Sequence, residues 1–430
     1  MSIRMYAYAK MLNSDYQRIF TRSSSNYELV KAEIKPAMEA VRQFGDDAIL
    51  KKYEARKIPV AQLLVSQAEF AEAETKVSRV FKEALAVAKT NIERVCIAQR
   101  NSLSDTSRVA MKGVAVWREW RSLDSVGIYA PGGRANYPSS LLMCTVPALI
   151  AGCKQIIACA PPNSKGKLPA ELLFTAKSLG ISNVFKVGGP QAIAAMAYGT
   201  ETIPKVLKIV GPGNQYVTAA KLAVFPRTNI DMPAGPSENL IIADDTANPT
   251  FIAADLITDA EHGPDSAAIL ITTSKKLAKF VQREVTRLLE TVSTKETIQQ
   301  SLKDYGAIII VESLTMAVAV SNEYAPEHMQ IMTSNPLKIL QQVNNAGSVF
   351  LGAYSAKAAG DYCTGANHVL PTGQAAKSFG ALAVDSFGKW IEVQEVSESG
   401  LQKLSKTIET YADVEKLPAH KVSSMIRRQV

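Results

Sequence analysis

At 430 residues the chain is long enough for two or more domains of roughly 150 residues each. With 47% hydrophobic and 20% charged residues it has the make-up of a soluble globular protein whose core needs neither disulfides nor a structural metal. The formal net charge of +8 comes without a long Lys/Arg run, aromatic–basic interleaving or a Walker motif, so it reads as a solvated basic surface suited to an anionic cofactor, with no nucleic-acid partner. Five cysteines (Cys96, Cys144, Cys153, Cys159, Cys363) are odd in number and form no Cys-x-x-Cys pair, which fits small buried residues in a reducing cytoplasm. The first ten residues have no apolar signal-peptide core. The longest apolar stretch, about 139–153, is too short for a membrane span and contains Pro147.

Residues 1–110 read as a largely helical region packing on a first lobe; an example is Val65 to Arg100, which has helical periodicity and neither Gly nor Pro. From Asp124 short apolar runs alternate with helical patterns. Ser125–Ala130 predicts a strand broken by Pro131-Gly132-Gly133, with a helix over 139–151. Gln155–Cys159, Asn183–Val187 and Lys208–Val210 predict further strands, with helices over 169–179 and 190–198 and one opened by Gly211-Pro212-Gly213-Asn214. A second series has strands at 239–243, 267–271, 307–311, 329–332 and 348–351. Near-continuous apolar runs mean strands buried on both faces. The expected architecture is α/β, with two doubly wound (Rossmann-like) parallel-sheet lobes over 111–238 and 239–380. Ligands in such folds sit off the carboxyl ends of the strands, where the motif residues are expected. Residues 381–430 form a tail. Leu401, Leu404, Ile408, Tyr411, Val414 and Leu417 repeat at three- and four-residue spacing, an amphipathic helix that must dock on the lobes or on another subunit.

The chain holds only four histidines, each in polar or turn-rich company: His262, His328, His368 and His420. Each could be a packed or capping residue; together they suggest one catalytic metal site. Asn248-Pro249 predicts a capped helix start, and that helix runs to His262 and stops at Gly263-Pro264. Asp259 and His262, three apart, share one face at its end, with Asp255 a turn earlier. A carboxylate there meets the negative end of the helix dipole, a misfit that a bound cation relieves. Glu327-His328, after Pro326 at the start of a strand, offers two proton-transfer groups. Asp361 and His368 lie in a long polar loop, and Glu415 and His420 lie near the chain's end. The glycines ahead of Pro190 and Asn214 either present N–H groups to phosphate or are plain tight turns; no Gly-x-Gly-x-x-Gly fingerprint is present.

Taken together, Gly127–Gly133, Gly188–Ile193, Ala197–Pro204, Ile209–Asn214, Ile230–Glu238, Ala260–His262, Tyr324–His328, Gly360–Tyr362 and Asn367–Gly373 resemble the histidinol dehydrogenase family over nearly the whole chain. The resemblance implies a zinc-dependent, NAD-linked oxidation of L-histidinol to L-histidine through the aldehyde, using two NAD. It implies His328 and Glu327 as the catalytic pair, His328 taking the alcohol proton and Glu327 activating water. It implies Zn2+ held by Asp259, His262, Asp361 and His420. Substrate contacts would come from Ser237, His368 and Glu415 together with those ligands and His328, and NAD contacts from Tyr129, Gln191 and Asn214. It further implies a cytoplasmic homodimer in which Glu415 and His420 complete the partner's site, with no membrane partner.

Two departures stand out. The family usually has Gln where this chain has Asp259, and a carboxylate there predicts tighter, less Lewis-acidic zinc. Gly373-Gln-Ala-Ala-Lys377 replaces the family's usual Gly-Gly-Thr-Ala-Arg. Three rival readings are a superfamily dehydrogenase of another small alcohol such as a sulfonated diol, a zinc hydrolase using metal-bound water, and a non-catalytic paralogue spoiled by Asp259.

Overall fold

In the computed structural model, which describes residues 3–21, 27–103, 108–132 and 137–428, the apolar runs become two parallel sheets covered by helices. The chain enters through β1 (Met5–Ala7) and α1 (Asn13–Phe20), followed by α2 (Tyr27–Ala55), α3 (Gln67–Lys76) and α4 (Arg79–Ser102). The uninterrupted helix expected over 65–100 is two helices. Val77 ends α3 in extended backbone, and the Ser78 hydroxyl caps α4 by accepting from Phe81 N, a polar break that needs neither Gly nor Pro. The N-terminal region also divides. Helices α2 to α4 pack on the first lobe, whereas β1 is an edge strand of the second sheet and α1 contributes Ile19 and Phe20 to that lobe's core. Three residues of strand carry too little pattern to be read from sequence.

An antiparallel pair absent from the sequence reading follows, β2 (Val109–Met111) and β3 (Val114–Ser122). The first lobe then runs β4 (Ser125–Tyr129), α5 (Pro138–Ala151), β5 (Gln155–Ala160), α6 (Ala170–Ser178), β6 (Val184–Lys186), α7 (Pro190–Tyr198), β7 (Lys208–Val210), α8 (Gln215–Val224) and β8 (Asn229–Ile230). Its sheet order is β6-β5-β4-β7-β8, all parallel. The predicted turn at Pro131–Gly133 is described only as far as Gly132; Gly133 lies outside the described residues.

The second lobe runs β9 (Glu238–Ala243), α9 (Pro249–Ala260), β10 (Ala267–Thr272), α10 (Lys275–Leu288), α11 (Lys295–Tyr305), β11 (Ala307–Ile310), α12 (Leu314–Tyr324), β12 (His328–Met332), α13 (Pro336–Leu340), β13 (Ser348–Leu351) and α14 (Lys357–Tyr362). Its order, β1-β11-β10-β9-β12-β13, repeats the first lobe's order with one strand added at the edge. Alternate residues of β9 serve opposite cores, Ile241 and Ala243 on one face and Leu240 and Ile242 on the other, as expected of a strand covered on both sides.

The tail is not wholly helical. β14 (Gly388–Val396) pairs along its whole length with β3, and only then come α15 (Glu398–Val414) and α16 (Pro418–Ile426). Strand β14 has only half-buried and exposed residues, so it carries no apolar run to announce it. No described helix is long and apolar enough to cross a membrane.

Candidate active site

A cavity of about 810 Å³ lies between the lobes. Tyr129, Asn214, Ser237, His262, Glu327, His328, Asp361 and His368 all line it. The first lobe offers the carboxyl ends of its strands, as doubly wound sheets do: Tyr129 ends β4 and Gly211–Asn214 follow β7, at the point where the strand order reverses. The second lobe offers its amino ends. Glu238 begins β9, His328 begins β12 directly opposite Asn239, and α9, returning antiparallel to the strands, delivers Asp259 and His262 to the same end. The expectation that the motif residues sit at carboxyl ends therefore fails for this lobe. A strand's two ends are alike in its own apolar pattern, and which one meets the other lobe is a tertiary matter.

On the first lobe, Tyr129 Oη accepts from Gly189 N at 3.1 Å, and Asn214 caps α8, its Oδ1 accepting from Tyr216 N and Val217 N. Gly211 joins these pieces. Its φ is +120°, and a Cβ there would stand 2.2 Å from the Tyr129 carbonyl oxygen, so only glycine fits. Asp231 Oδ2 accepts from Gly211 N at 2.8 Å, and buried Lys221 donates to the Gly211 carbonyl at 3.1 Å. Gln191 is not in the cavity wall. It sits in the first turn of α7, where its Oε1 accepts from Lys52 Nζ at 2.7 Å.

Glu327 and His328 are both buried. Glu327 Oε2 accepts from Glu238 N at 3.0 Å, and Glu238 in turn accepts from Gly373 N. Burial first, then the Asp259 charge, pushes the Glu327 carboxyl well above the usual range. His328 Nδ1 lies 3.2 Å from the Glu238 carbonyl oxygen, which can only accept, so Nδ1 carries the proton and Nε2 keeps its lone pair, buried and without a hydrogen-bond partner. Burial, then Lys357, holds the imidazole well below its ordinary pKa; this outweighs the Asp361 carboxylate, 3.8 Å from Nε2, and the bond to the Glu238 carbonyl, which pull the other way. His368 Nδ1 donates to the Asp361 carbonyl at 2.9 Å, with Ser140 Oγ 3.4 Å from Nε2, and His262 Nδ1 donates to the Thr258 carbonyl at 3.1 Å. Asp255, under the same helix end, accepts from Gln330 Nε2 at 2.7 Å.

The expected metal ligands meet an unforeseen neighbour. Lys357, fully buried on α14, places Nζ 2.8 Å from Asp259 Oδ1 and 2.8 Å from Asp361 Oδ2. Burial alone would lower its pKa; Asp259 and Asp361 more than reverse this and hold it above the ordinary lysine range. The cation that relieves Asp259 at the end of α9 is thus a side chain. Asp259 is not an uncompensated charge waiting for zinc, and the argument for tighter zinc loses its premise. Among the described residues no group of three His, Cys, Asp or Glu side chains meets at metal-ligand spacing. As arranged, these residues do not fit a divalent ion. Lys357 stands one helical turn before Asp361, an i,i+4 spacing visible in the sequence but unread there. Glu238 and Ser140 were likewise missed, Glu238 although it directly follows Ser237 in one of the motif stretches.

Glu415 and His420 do not reach this cavity in their own subunit. Glu415 closes α15, and His420 on α16 lines a shallow groove of the tail with Val396, Leu401 and Ile408. The Gln374 departure also has a local account. Its φ is +67°, a left-handed conformation natural to glycine; the side chain holds it by donating to the Phe20 carbonyl at 2.8 Å and accepting from Lys377 Nζ at 2.7 Å.

The geometry can be set beside known proteins. A family model described as histidinol dehydrogenase matches residues 20–428. The chain is 45% identical over 419 residues to the histidinol dehydrogenase of Bacteroides fragilis, covering 96% of each, and 43% identical over 418 residues to that of Methanothermobacter thermautotrophicus, covering 96% of this chain and 97% of the relative. The crystal structure of histidinol dehydrogenase from Elizabethkingia anophelis is similar with a TM-score of 0.94 at 39% identity, covering 99% of this chain and 98% of that one.

Proposed function

Because the chain belongs to the histidinol dehydrogenase family, we propose that it oxidises L-histidinol to L-histidine in two hydride transfers to NAD, through the enzyme-held aldehyde. The observation that carries the reading is the buried Glu327–His328 pair facing the first lobe's Tyr129–Asn214 crevice across one cavity. Tyr129 and Gly213–Asn214, at the carboxyl ends of β4 and β7, would hold NAD, which would supply the hydride acceptor in the cavity that His328 also lines. In the first step the alcohol proton goes to the free Nε2 of His328 and the carbinol hydride to NAD, giving the aldehyde and NADH. In the second, Glu327 as carboxylate takes one proton from water as the water oxygen bonds to the aldehyde carbon, and the proton His328 Nε2 gained in the first step passes to the carbonyl oxygen. The resulting gem-diol gives its carbon-bound hydride to a second NAD and one hydroxyl proton back to His328 Nε2, and leaves as the carboxylic acid. His262, with Nδ1 tied to backbone, offers its Nε2 lone pair to the imidazole-bearing substrate, and His368, bonded at both nitrogens, lines the same wall with Ser237.

In this reading two copies pair through the tail, so that Glu415 and His420 reach the neighbour's cavity. The support is an exposed apolar face on α15 and α16, including Tyr411 at 65% and Val414 at 75% exposure, with Leu417, Val422 and Ile426 beside them. Purified protein given NAD and L-histidinol should form histidine with two NADH for each one. NADH formed only from other small alcohols, or none at all, would overturn the reading.

A further inference from the structure

We infer that the ammonium of Lys357 is the resident cation of this site: it stands between Asp259 and Asp361 and excludes the divalent ion that those carboxylates would otherwise hold. The inference deepens the oxidation proposed above and concerns the same cavity. Its basis is position and charge. Lys357 Nζ is 2.8 Å from a carboxylate oxygen of each aspartate, and the side chain is 1% exposed. A buried lysine is stable only when paired, and here both partners belong to the expected ligand set. Lys357 offsets one of the two aspartate charges, so the three groups together carry one net negative charge.

Zinc takes carboxylate oxygens at roughly 2.0–2.2 Å. An ion bound to either oxygen would therefore lie within about 5 Å of Nζ. At an effective dielectric of roughly 20, repulsion between a divalent ion and an ammonium at that distance weakens binding by more than ~1,000-fold. An ammonium has three N–H donors. Its 2.8 Å contacts with the aspartates are ion pairs, neither Asp259 oxygen having a hydrogen-bond partner among the described residues, and Lys357 lines the cavity, where the bound alcohol or its imidazole would offer an acceptor. His262, with its Nε2 lone pair kept by the bond to Thr258, lines the same cavity and is the nitrogen donor an ion would recruit once the lysine is removed.

The test titrates Zn2+ into the full chain after dialysis against EDTA, reading bound zinc by elemental analysis and affinity by calorimetry. Wild-type protein should retain far less than one zinc per chain, and chelator should leave its NADH formation from L-histidinol unchanged. Lys357→Met should bind about one zinc per chain, at least ~1,000-fold tighter, whereas Lys357→Arg, which keeps a cation, should stay zinc-poor. Lys357→Met leaves two buried carboxylates unpaired. If it fails to fold, the double variant Asp259→Gln, Lys357→Met, which removes both charges, carries the test with the same expectation. One dialysis-resistant zinc per wild-type chain, activity that appears only when zinc is added, or Met variants that bind zinc no better than wild type would each overturn the inference. Zinc binding as expected with no NADH from any preparation would overturn the proposed oxidation and leave the cation assignment standing.

Discussion

His262, His328 and His368 share one device: Nδ1 is given to a main-chain carbonyl, which leaves Nε2 as the acceptor nitrogen. This fixes the tautomer before substrate arrives and makes His328 an acceptor over the neutral range, since burial keeps it from charging. Glu327 is the opposite case. Burial and Asp259 raise its pKa, so its carboxylate fraction, and with it the water-activating step, grows as pH rises through that raised value. Oxidation of the aldehyde should therefore show an ascending pH limb that Glu327→Gln removes, with a fall in turnover of ~100-fold or more. The stability sign follows from linkage. A carboxyl whose folded pKa is raised contributes stability at acid pH, below its unfolded value, that is lost as pH climbs through the folded one. Glu327→Gln, which still accepts from Glu238 N, should accordingly melt above wild type at alkaline pH, by a margin that shrinks on acidification. A variant that melts lower at every pH would show that the carboxylate is not strained by its surroundings.

At the scale of elements, α9 sets the second lobe's half of the site. Asn248 Oδ1 accepts from Thr250 N, Pro249 occupies the first helical position, and the helix ends at Ala260, with Asp259 buried against Lys357 and His262 just beyond the end lining the cavity. The cap, the proline and the Gly263-Pro264 stop were all legible in the sequence, because each acts through its own backbone. Asn248→Ala should cost about 1 kcal/mol of unfolding free energy. Denaturant titration should show a lower midpoint at unchanged slope; an unchanged midpoint would mean the cap contributes nothing. The elements that escaped sequence reading, β1, β3 and β14, are edge or half-exposed strands, whose patterns lack the doubly buried apolar run that marked the others. The α3–α4 break was missed for a different reason: a serine cap interrupts a helix without disturbing its composition.

For the whole molecule, two sheets of matching strand order meet with carboxyl ends facing amino ends, and that opposition creates the cavity. It brings Tyr129 within the same space as His328, 199 residues further along the chain. The tail stands outside this arrangement, tethered by β14 on β3, with Glu415 and His420 away from their own cavity. If the tail serves a neighbour, mixing Glu327→Gln chains with His420→Ala chains should restore activity. Each mixed dimer then holds one site with an intact body and an intact tail, and random mixing should recover about a quarter of wild-type turnover. A mixture as inactive as its two components would show that the tail serves its own subunit.

By itself the chain's order of residues determined what depends on local rules. Two series of βα units follow from doubly buried strands and Gly/Pro turns, α9 follows from its cap and stop, and the sparse histidines beside carboxylates marked His262, His328 and His368, which line one cavity. Only the tertiary structure decided which end of the second sheet faces the cavity, that Glu238 backs Glu327, and that Lys357 sits between Asp259 and Asp361. Those outcomes depend on groups brought together from distant positions, where a lysine's charge is set by what surrounds it after folding and by nothing adjacent to it in the chain.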